Sequence, residues 1–400
     1  MKRLLTSIAL LPSGLRAAAG EKHLKRRLLR LTKHSALLLV VLGVGGMLLA
    51  ASGIIPIKAS SRHWALTDWF LSFAMQRSVA THSLGIKTPS LHSLDDPSLV
   101  LKGAGHYESG CSPCHGSPQL RLPRVPAAMT PPPPYLPPKI SHWEPEELFF
   151  IVKHGVKFTG MPAWPTRHRD DEVWAMVAFL RALPALDAAA YRKLVNGNLA
   201  PSLDVPQYGL PRREDVPEAV TESCGRCHGA DGRGRGEGAF PRLAGQRPTY
   251  LYAALQAYAR GARHSGMMEP VAARLSREEM RALAHYYGNL KEAAHAGSVP
   301  DDAAAIERGK AIARRGIPSK GIPSCIDCHG PSATPKNPHY PLLAGQYARY
   351  LVLQLELFEK QQRGGSAYAH LMRTTAHRLT QEQMYDVALY YAALPPTAGN

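Results

Sequence analysis

Cys111-Ser112-Pro113-Cys114-His115, Cys224-Gly225-Arg226-Cys227-His228 and Cys325-Ile326-Asp327-Cys328-His329 repeat one pattern, Cys-x-x-Cys-His. Together they hold all six cysteines of the chain. Two thiols separated by two residues reach one edge of a porphyrin and add across its two vinyl groups. The next residue then turns its imidazole onto the iron. The pattern is that of covalent haem c attachment. Zinc sites and dithiol redox motifs also use Cys-x-x-Cys, but neither requires a His directly after every pair. Cys111, Cys114, Cys224, Cys227, Cys325 and Cys328 are therefore the expected attachment thiols. His115, His228 and His329 are the expected iron ligands, giving three covalently bound haem c groups.

An imidazole ligand needs its other ring nitrogen fixed by an acceptor. Each motif is followed by a Pro-x-Leu step, and the carbonyls of Pro134, Pro241 and Pro341 are the candidate acceptors. The ligand on the far side of the iron decides the function. A thioether raises the potential, an imidazole lowers it, and an open position permits small-molecule chemistry. Met161, Met268 and Met372 each stand just before the last helical pattern of their segment, where a loop can fold back over the haem. A single Met so placed is ordinary core filling; three at equivalent places read as ligands. Met267 is an alternative to Met268, although the repeat register selects Met268. His264 and His370 are nearby alternatives. His106 and His154 read as surface or propionate-side residues, and Tyr250 and Tyr350 as haem-edge or plain core residues.

Three sites spread through 400 residues imply three units of ordinary domain size. The boundaries read from the pattern are 96–190, 205–293 and 298–396. A unit that small has a thin core, so a buried haem must supply much of its apolar volume. The formal net charge is +17. Residues 1–34 carry nine Lys and Arg against one Glu, so topology accounts for nearly half of it. Haem propionates offset part of the remainder. No basic stretch is interleaved with aromatics, which argues against nucleic acid.

Ser35 to Ile57 contains no charged residue and is long enough to cross a bilayer as one helix. The dense basic flank before it places the N-terminus, 1–34, in the cytoplasm and everything after Lys58 outside. A cleaved signal peptide, cut near Ala50–Ser52, is the rival to a retained anchor over 35–57. Residues 58–95 form an aromatic helix and linker. There Trp64, Leu66, Trp69, Phe70 and Phe73 suit a membrane interface, a helix packed on the first haem unit, or a docking surface for a membrane partner.

Within the first unit, Pro97–Tyr107 leads helically into the attachment site. Leu122 to Pro138 is too rich in proline for a regular helix and should wrap the haem as an extended loop. Glu146–His154 reads as a short amphipathic helix with Pro145 at its start. Asp170 opens another helix that ends at Pro184. The second and third units repeat each other. PRLAGQ at 241–246 matches PLLAGQ at 341–346, each followed by Tyr-Leu, at Tyr250-Leu251 and Tyr350-Leu351. Ser276 with Glu279 and Thr380 with Gln383 are capping boxes that open the final helices. Residues 191–215 and 294–302 read as linkers, and 395–400 as a frayed tail.

CGRCHG, FPRLAGQ, MMEPVAARLS and LAHYYGNL resemble one unit of the two-domain dihaem class I cytochromes c of the c-four type, and residues 325–394 resemble the second unit. CSPCHG, ELFFIVKHG and GMPAWP resemble the single-haem domains of cytochrome subunits of oxidases and dehydrogenases. The resemblance implies a mainly α chain. One N-terminal transmembrane helix would be followed by three tandem class I cytochrome c domains in the periplasm of a bacterium, each with His and Met on its iron. In the third unit an insertion around Arg314–Ser324, and a longer stretch at Glu359–Tyr368, leave the register of Met372 less fixed than that of Met268.

The function expected is that of a membrane-anchored electron carrier rather than an enzyme. It would take single electrons from a quinol-oxidising cytochrome bc complex or a periplasmic dehydrogenase and pass them to a soluble cytochrome or a terminal oxidase. One alternative is a cytochrome subunit of a membrane-bound dehydrogenase, with the catalytic centre on another polypeptide because no flavin or nucleotide fingerprint is present. Another is a haem peroxidase or sulfur-oxidising enzyme, which needs an open or displaceable iron ligand.

Overall fold

The computed structural model describes residues 13–55, 57–89, 94–197, 217–290 and 301–396. The chain divides into two compact bodies, Met1–Ser61 and Arg62–Asn400. Among the described residues the structure is helical, with two isolated antiparallel bridges in place of a sheet.

The first body is built on α1 (Ser13–Ala51). Its stretch Arg27–Ala51, 25 residues, is long and apolar enough to cross a membrane. At 1.5 Å per residue that is roughly 37 Å, against a hydrocarbon core of about 30 Å. Leu37, Leu38, Leu39 and Val40 are all exposed on it. The helix ends at Ala51, before the expected Ile57, because Gly53 takes a positive φ of 71°. It also starts well inside the basic segment, at Ser13. Residues 1–12 lie outside the described residues.

The second body begins with α2 (Ala65–His82). Its C-terminal turn is docked: Val79 is buried, and His82 stacks on Phe150 with centroids 5.6 Å apart. Its N-terminal half is not. Trp64, Trp69 and Phe70 are 83%, 62% and 58% exposed. The aromatic segment is thus part packed helix and part bare apolar face.

In the first haem unit, α3 (Pro97–Gly110) is capped by the Asp96 carboxylate, which accepts from Ser98 N at 2.9 Å. It crosses α5 (Asp170–Ala182) so closely that a methyl on Gly103 would run into the Ala175 carbonyl. Between them lies α4 (Pro145–His154), opened by a capping box of Glu144 and Glu147 with Pro145 at its first position. Tyr107, Phe149, Met176 and Phe179 fill the core. Residues 188–196, partly expected as linker, continue as α6 (Ala188–Asn196), because Asp187 caps the helix and Tyr191 and Val195 are buried. The proline-rich segment is extended as expected, apart from one helical turn at Arg124–Ala127.

The second unit contains α7 (Pro248–Ala259), the short α8 (Met268–Ala272) and α9 (Arg277–Asn289). The third contains α10 (Ala303–Arg315), α11 (Ala348–Glu359), α12 (Ala369–Arg378) and α13 (Gln381–Ala393). Both expected capping boxes are formed, at Ser276/Glu279 and Thr380/Gln383. Gly309 on α10 lies against the Asp386 carbonyl of α13, the same close crossing as Gly103 on Ala175. The expected insertion before the third cysteine pair folds as a tight turn closed by Ile317 and Ile322. Ile322 is buried beside Phe358 and Leu379, and Met372 packs on that same cluster. Of the expected linker 294–302, residues 294–300 lie outside the described residues and Asp302 caps α10. In the expected tail, Pro396 is buried against Gly345, and 397–400 lie outside the described residues.

Candidate haem-binding sites

Each Cys-x-x-Cys-His motif folds as a single helical turn, at Ser112–His115, Gly225–His228 and Ile326–His329. Each turn stops at a glycine, Gly116, Gly229 and Gly330, with φ of 70°, 78° and 79°. Only glycine enters that region freely, so the chain leaves the turn at once and the imidazole is not followed by more helix. Tyrosines anchor two of the exits. The Tyr107 hydroxyl donates to Gly116 O at 2.7 Å, and the Tyr287 hydroxyl to Gly229 O at 3.2 Å.

The three imidazoles are fixed alike. His115 Nδ1 lies 2.9 Å from the Pro134 carbonyl, His228 Nδ1 3.0 Å from that of Pro241, and His329 Nδ1 2.8 Å from that of Pro341. A carbonyl can only accept, so Nδ1 carries the proton in all three. Nε2 is left with its lone pair, the form a metal ligand requires. Burial lowers the pKa of each ring, and the carbonyl bond only partly restores it, so all three are neutral at neutral pH. These are the acceptors expected from the Pro-x-Leu pattern.

The six thiols form no disulfide. Burial raises the Cys111 and Cys325 thiols to about 12 and Cys227 to about 11. That disfavours the free thiolate and with it spontaneous disulfide exchange. Among the described residues no three His, Cys, Asp or Glu side chains converge as a metal site.

The sequence expects the three methionines on loops. Only Met161 is on one, where Val156 N donates to its carbonyl at 3.3 Å. Met268 heads α8, with its N–H bonded to Ser265 Oγ at 3.1 Å. Met372 lies within α12, whose Ala, Leu and Thr residues offer no break. All three are half-buried. Met267 packs against the core of the first unit, among Trp164 and its neighbours. Of the nearby histidines, His264 pairs with Glu269 at 3.5 Å and packs on His168 at 4.8 Å. His370 is exposed and bonded to Ala367 O. His154 is on the surface as expected. His106 packs on Trp164 of its own unit at 4.6 Å.

The family profile of cytochrome c oxidase, cbb3-type, subunit III, matches residues 98–180. That of cytochrome c matches residues 214–291 and 306–394. The thiosulfate dehydrogenase electron acceptor of Thiomonas intermedia is 42% identical over 179 residues, which are 45% of this chain and 81% of that protein. Cytochrome c-552 of Acidithiobacillus ferridurans is 36% identical over 183 residues, 45% of this chain and 76% of its own. Cytochrome c4 of Pseudomonas aeruginosa is 30% identical over 181 residues, 44% and 86% respectively. The chain belongs to the cytochrome c family.

As a cytochrome c it is an electron carrier holding covalent haem c. Several residues that shape the sites of this cytochrome carried no sequence signal. Gln246 and Gln346 close the two repeated motifs, and each reaches into the other unit. Gln246 donates to Leu342 O and accepts from Leu342 N, both at 2.9 Å. Gln346 donates to Arg242 O at 3.0 Å and accepts from Arg242 N at 3.1 Å. Leu342 and Arg242 directly follow the prolines that hold His329 and His228. Each unit therefore braces the histidine loop of the other.

Arg263 and Arg363 are a second such feature. Both donate to the Tyr250 hydroxyl, at 3.4 and 3.0 Å, and Arg263 also reaches the Tyr350 hydroxyl at 3.2 Å and Gln354 at 3.3 Å. Burial and then the neighbouring Arg263 guanidinium push the Arg363 pKa down. Two cations meet in the interior with phenols and an amide around them. That donor set suits an anion such as a propionate.

The first and second units also meet closely. A methyl on Gly105 of α3 would lie 2.7 Å from the Phe240 ring and 3.2 Å from Cys227 Sγ. Arg235 donates to the carbonyls of Val195 and Leu194 in α6, at 3.0 and 2.8 Å, and to that of Arg226 inside the second motif.

Proposed function

We propose that this chain is a membrane-anchored cytochrome carrying three haem c groups, attached at Cys111/Cys114, Cys224/Cys227 and Cys325/Cys328. His115, His228 and His329 ligate the irons through Nε2, and Met161, Met268 and Met372 supply sulfur from the other side. The observation that carries this reading is the matched set of three Nδ1-to-proline-carbonyl bonds, each leaving Nε2 unprotonated. Arg263 and Arg363 would hold propionates where the second and third units meet. Each bound haem supplies an iron that cycles between ferrous and ferric, carrying one electron.

The protein's own part is to keep that change of charge inexpensive. Fixed imidazoles, buried tyrosines and braced loops limit rearrangement when the charge changes. α1 would confine the carrier to the membrane plane, with the haem units on the periplasmic face. The electron donor would be a dehydrogenase or a quinol-oxidising complex, and the acceptor a soluble cytochrome or terminal oxidase. The likeness to the thiosulfate dehydrogenase electron acceptor of Thiomonas intermedia favours a dehydrogenase as donor, so a cytochrome partnered with a thiosulfate-oxidising enzyme is the second reading.

The test is the mass and haem content of the denatured, matured protein, with its distribution between membrane and soluble fractions. Three haems on one chain, retained in membranes after a salt wash, are expected. Fewer than three overturns the site assignment. Recovery in the soluble periplasm overturns the anchor. Co-isolation in mild detergent with a catalytic subunit decides between relay and dehydrogenase subunit.

A further inference from the structure

Glu172 is an acidic residue of the first unit, only 2% exposed. Its carboxylate is paired with Arg169 NH1 at 3.0 Å, within α5 and its N-terminal approach. Two further bonds cross into the second unit, and one stays within the first. Ser265 Oγ donates to it at 2.7 Å and Gly266 N at 2.7 Å. Trp164 Nε1 adds a longer bond at 3.4 Å. Arg169 also donates to His264 O at 2.9 Å, so the pair grips three successive residues, 264 to 266.

Those residues are the approach to α8. Ser265 Oγ accepts from Met268 N at 3.1 Å and from Met267 N at 3.3 Å, while Ser265 N donates to Glu269 at 2.9 Å. Ser265 thus holds the N–H groups that lead into a helix only five residues long, which has little stability of its own. Its hydroxyl orientation is dictated by the carboxylate it donates to. Met267 is committed to the first unit's core, and Trp164 fills the space where Gly266 lacks a side chain.

We propose that Glu172 is a positioning residue for the second haem: from the first unit, through Ser265, it sets the backbone that presents Met268. The sulfur ligation of one haem is then arranged by the neighbouring unit, with Arg169 keeping the buried carboxylate aimed. Docking of the first unit and the potential of the second haem become one coupled property. The inference rests on Met268 being the ligand, as proposed above.

The experiment uses the full-length, three-haem protein and compares Glu172→Gln, Ser265→Ala, Met267→Ala and Met268→Ala. Its readouts are the ferric sulfur-to-iron charge-transfer absorbance and the three midpoint potentials. Glutamine keeps the volume but turns an NH2 donor towards groups that are themselves donors; alanine at 265 removes only the bridging hydroxyl and guards against a fold defect in the first variant. Met268→Ala is expected to remove one haem's share of the band. Glu172→Gln and Ser265→Ala are each expected to weaken that same share and lower that same potential, leaving the other two haems unchanged. Met267→Ala should retain the band. Full absorbance and three unchanged potentials in both Glu172→Gln and Ser265→Ala, with the band still lost in Met268→Ala, overturn the positioning role alone. A band that survives Met268→Ala overturns the ligand assignment, and the inference with it.

Discussion

Gln246 and Gln346 make the same pair of backbone hydrogen bonds in opposite directions, each across the boundary between the second and third haem units. An alanine at either place strands a buried N–H and a buried carbonyl, at about 1–3 kcal/mol for each group left unpaired. Gln246→Ala and Gln346→Ala should each lower the denaturant midpoint of this part of the chain. Combined, they should split its unfolding into two steps. A single unshifted transition in the double variant would show that the clasp is dispensable.

Replacement of the candidate sulfur ligands separates the three sites. Met161→Ala and Met372→Ala should each delete one haem's contribution to the ferric sulfur-to-iron band and lower one potential. The Met372 case carries the most information, because that residue sits within a helix beside an insertion. An unchanged ferric spectrum for either variant removes that methionine as a ligand.

His106 gives the fold a pH dependence of known sign. Burial lowers its pKa from the ordinary 6.5 to about 4. As pH falls, the unfolded chain takes up this proton first, so stability is complete above pH 6.5 and declines towards pH 4. One proton over that interval is worth at most about 3 kcal/mol. Denaturation midpoints across this range should fall with a shallower slope in His106→Gln. Equal slopes would mean that the ring is protonated in the folded protein.

Gly105 is where the first unit touches the second motif. A valine there must displace Phe240 or the segment bearing Cys227. Gly105→Val should loosen the join of the first two units, seen as faster proteolysis between α6 and the second motif and slower electron exchange between their haems. The Gln246–Gln346 boundary should be unaffected. Wild-type proteolysis and exchange rates would show that the contact gives way without consequence.

The attachment motifs and capping boxes were legible because each depends on a few neighbouring residues of fixed type. The proline carbonyls were legible for the same reason: the Pro-x-Leu step follows every motif. Glu172 was not. It reads as one of three acidic residues starting a helix, and only tertiary packing shows that its carboxylate turns from solvent to Ser265. Gln246 and Gln346 stood inside a recognised repeat, yet nothing local states that each serves the opposite copy. Met267 and Met268 are adjacent and chemically identical; the repeat register selects Met268, and the packing of Met267 on the core of another unit was invisible to it. The end of α1 was misplaced because apolarity continues past Ala51, while the backbone is redirected by Gly53.

The contact between Gly105 and Cys227 carries a consequence for biogenesis. A maturation enzyme joining porphyrin to Cys224 and Cys227 needs both sulfurs bare, and in the finished molecule one of them lies against the backbone of a helix contributed by the preceding unit. If a haem is attached at Cys224 and Cys227, that attachment would come before α3 packs against Cys227. Three motifs that look interchangeable on paper would then acquire a schedule.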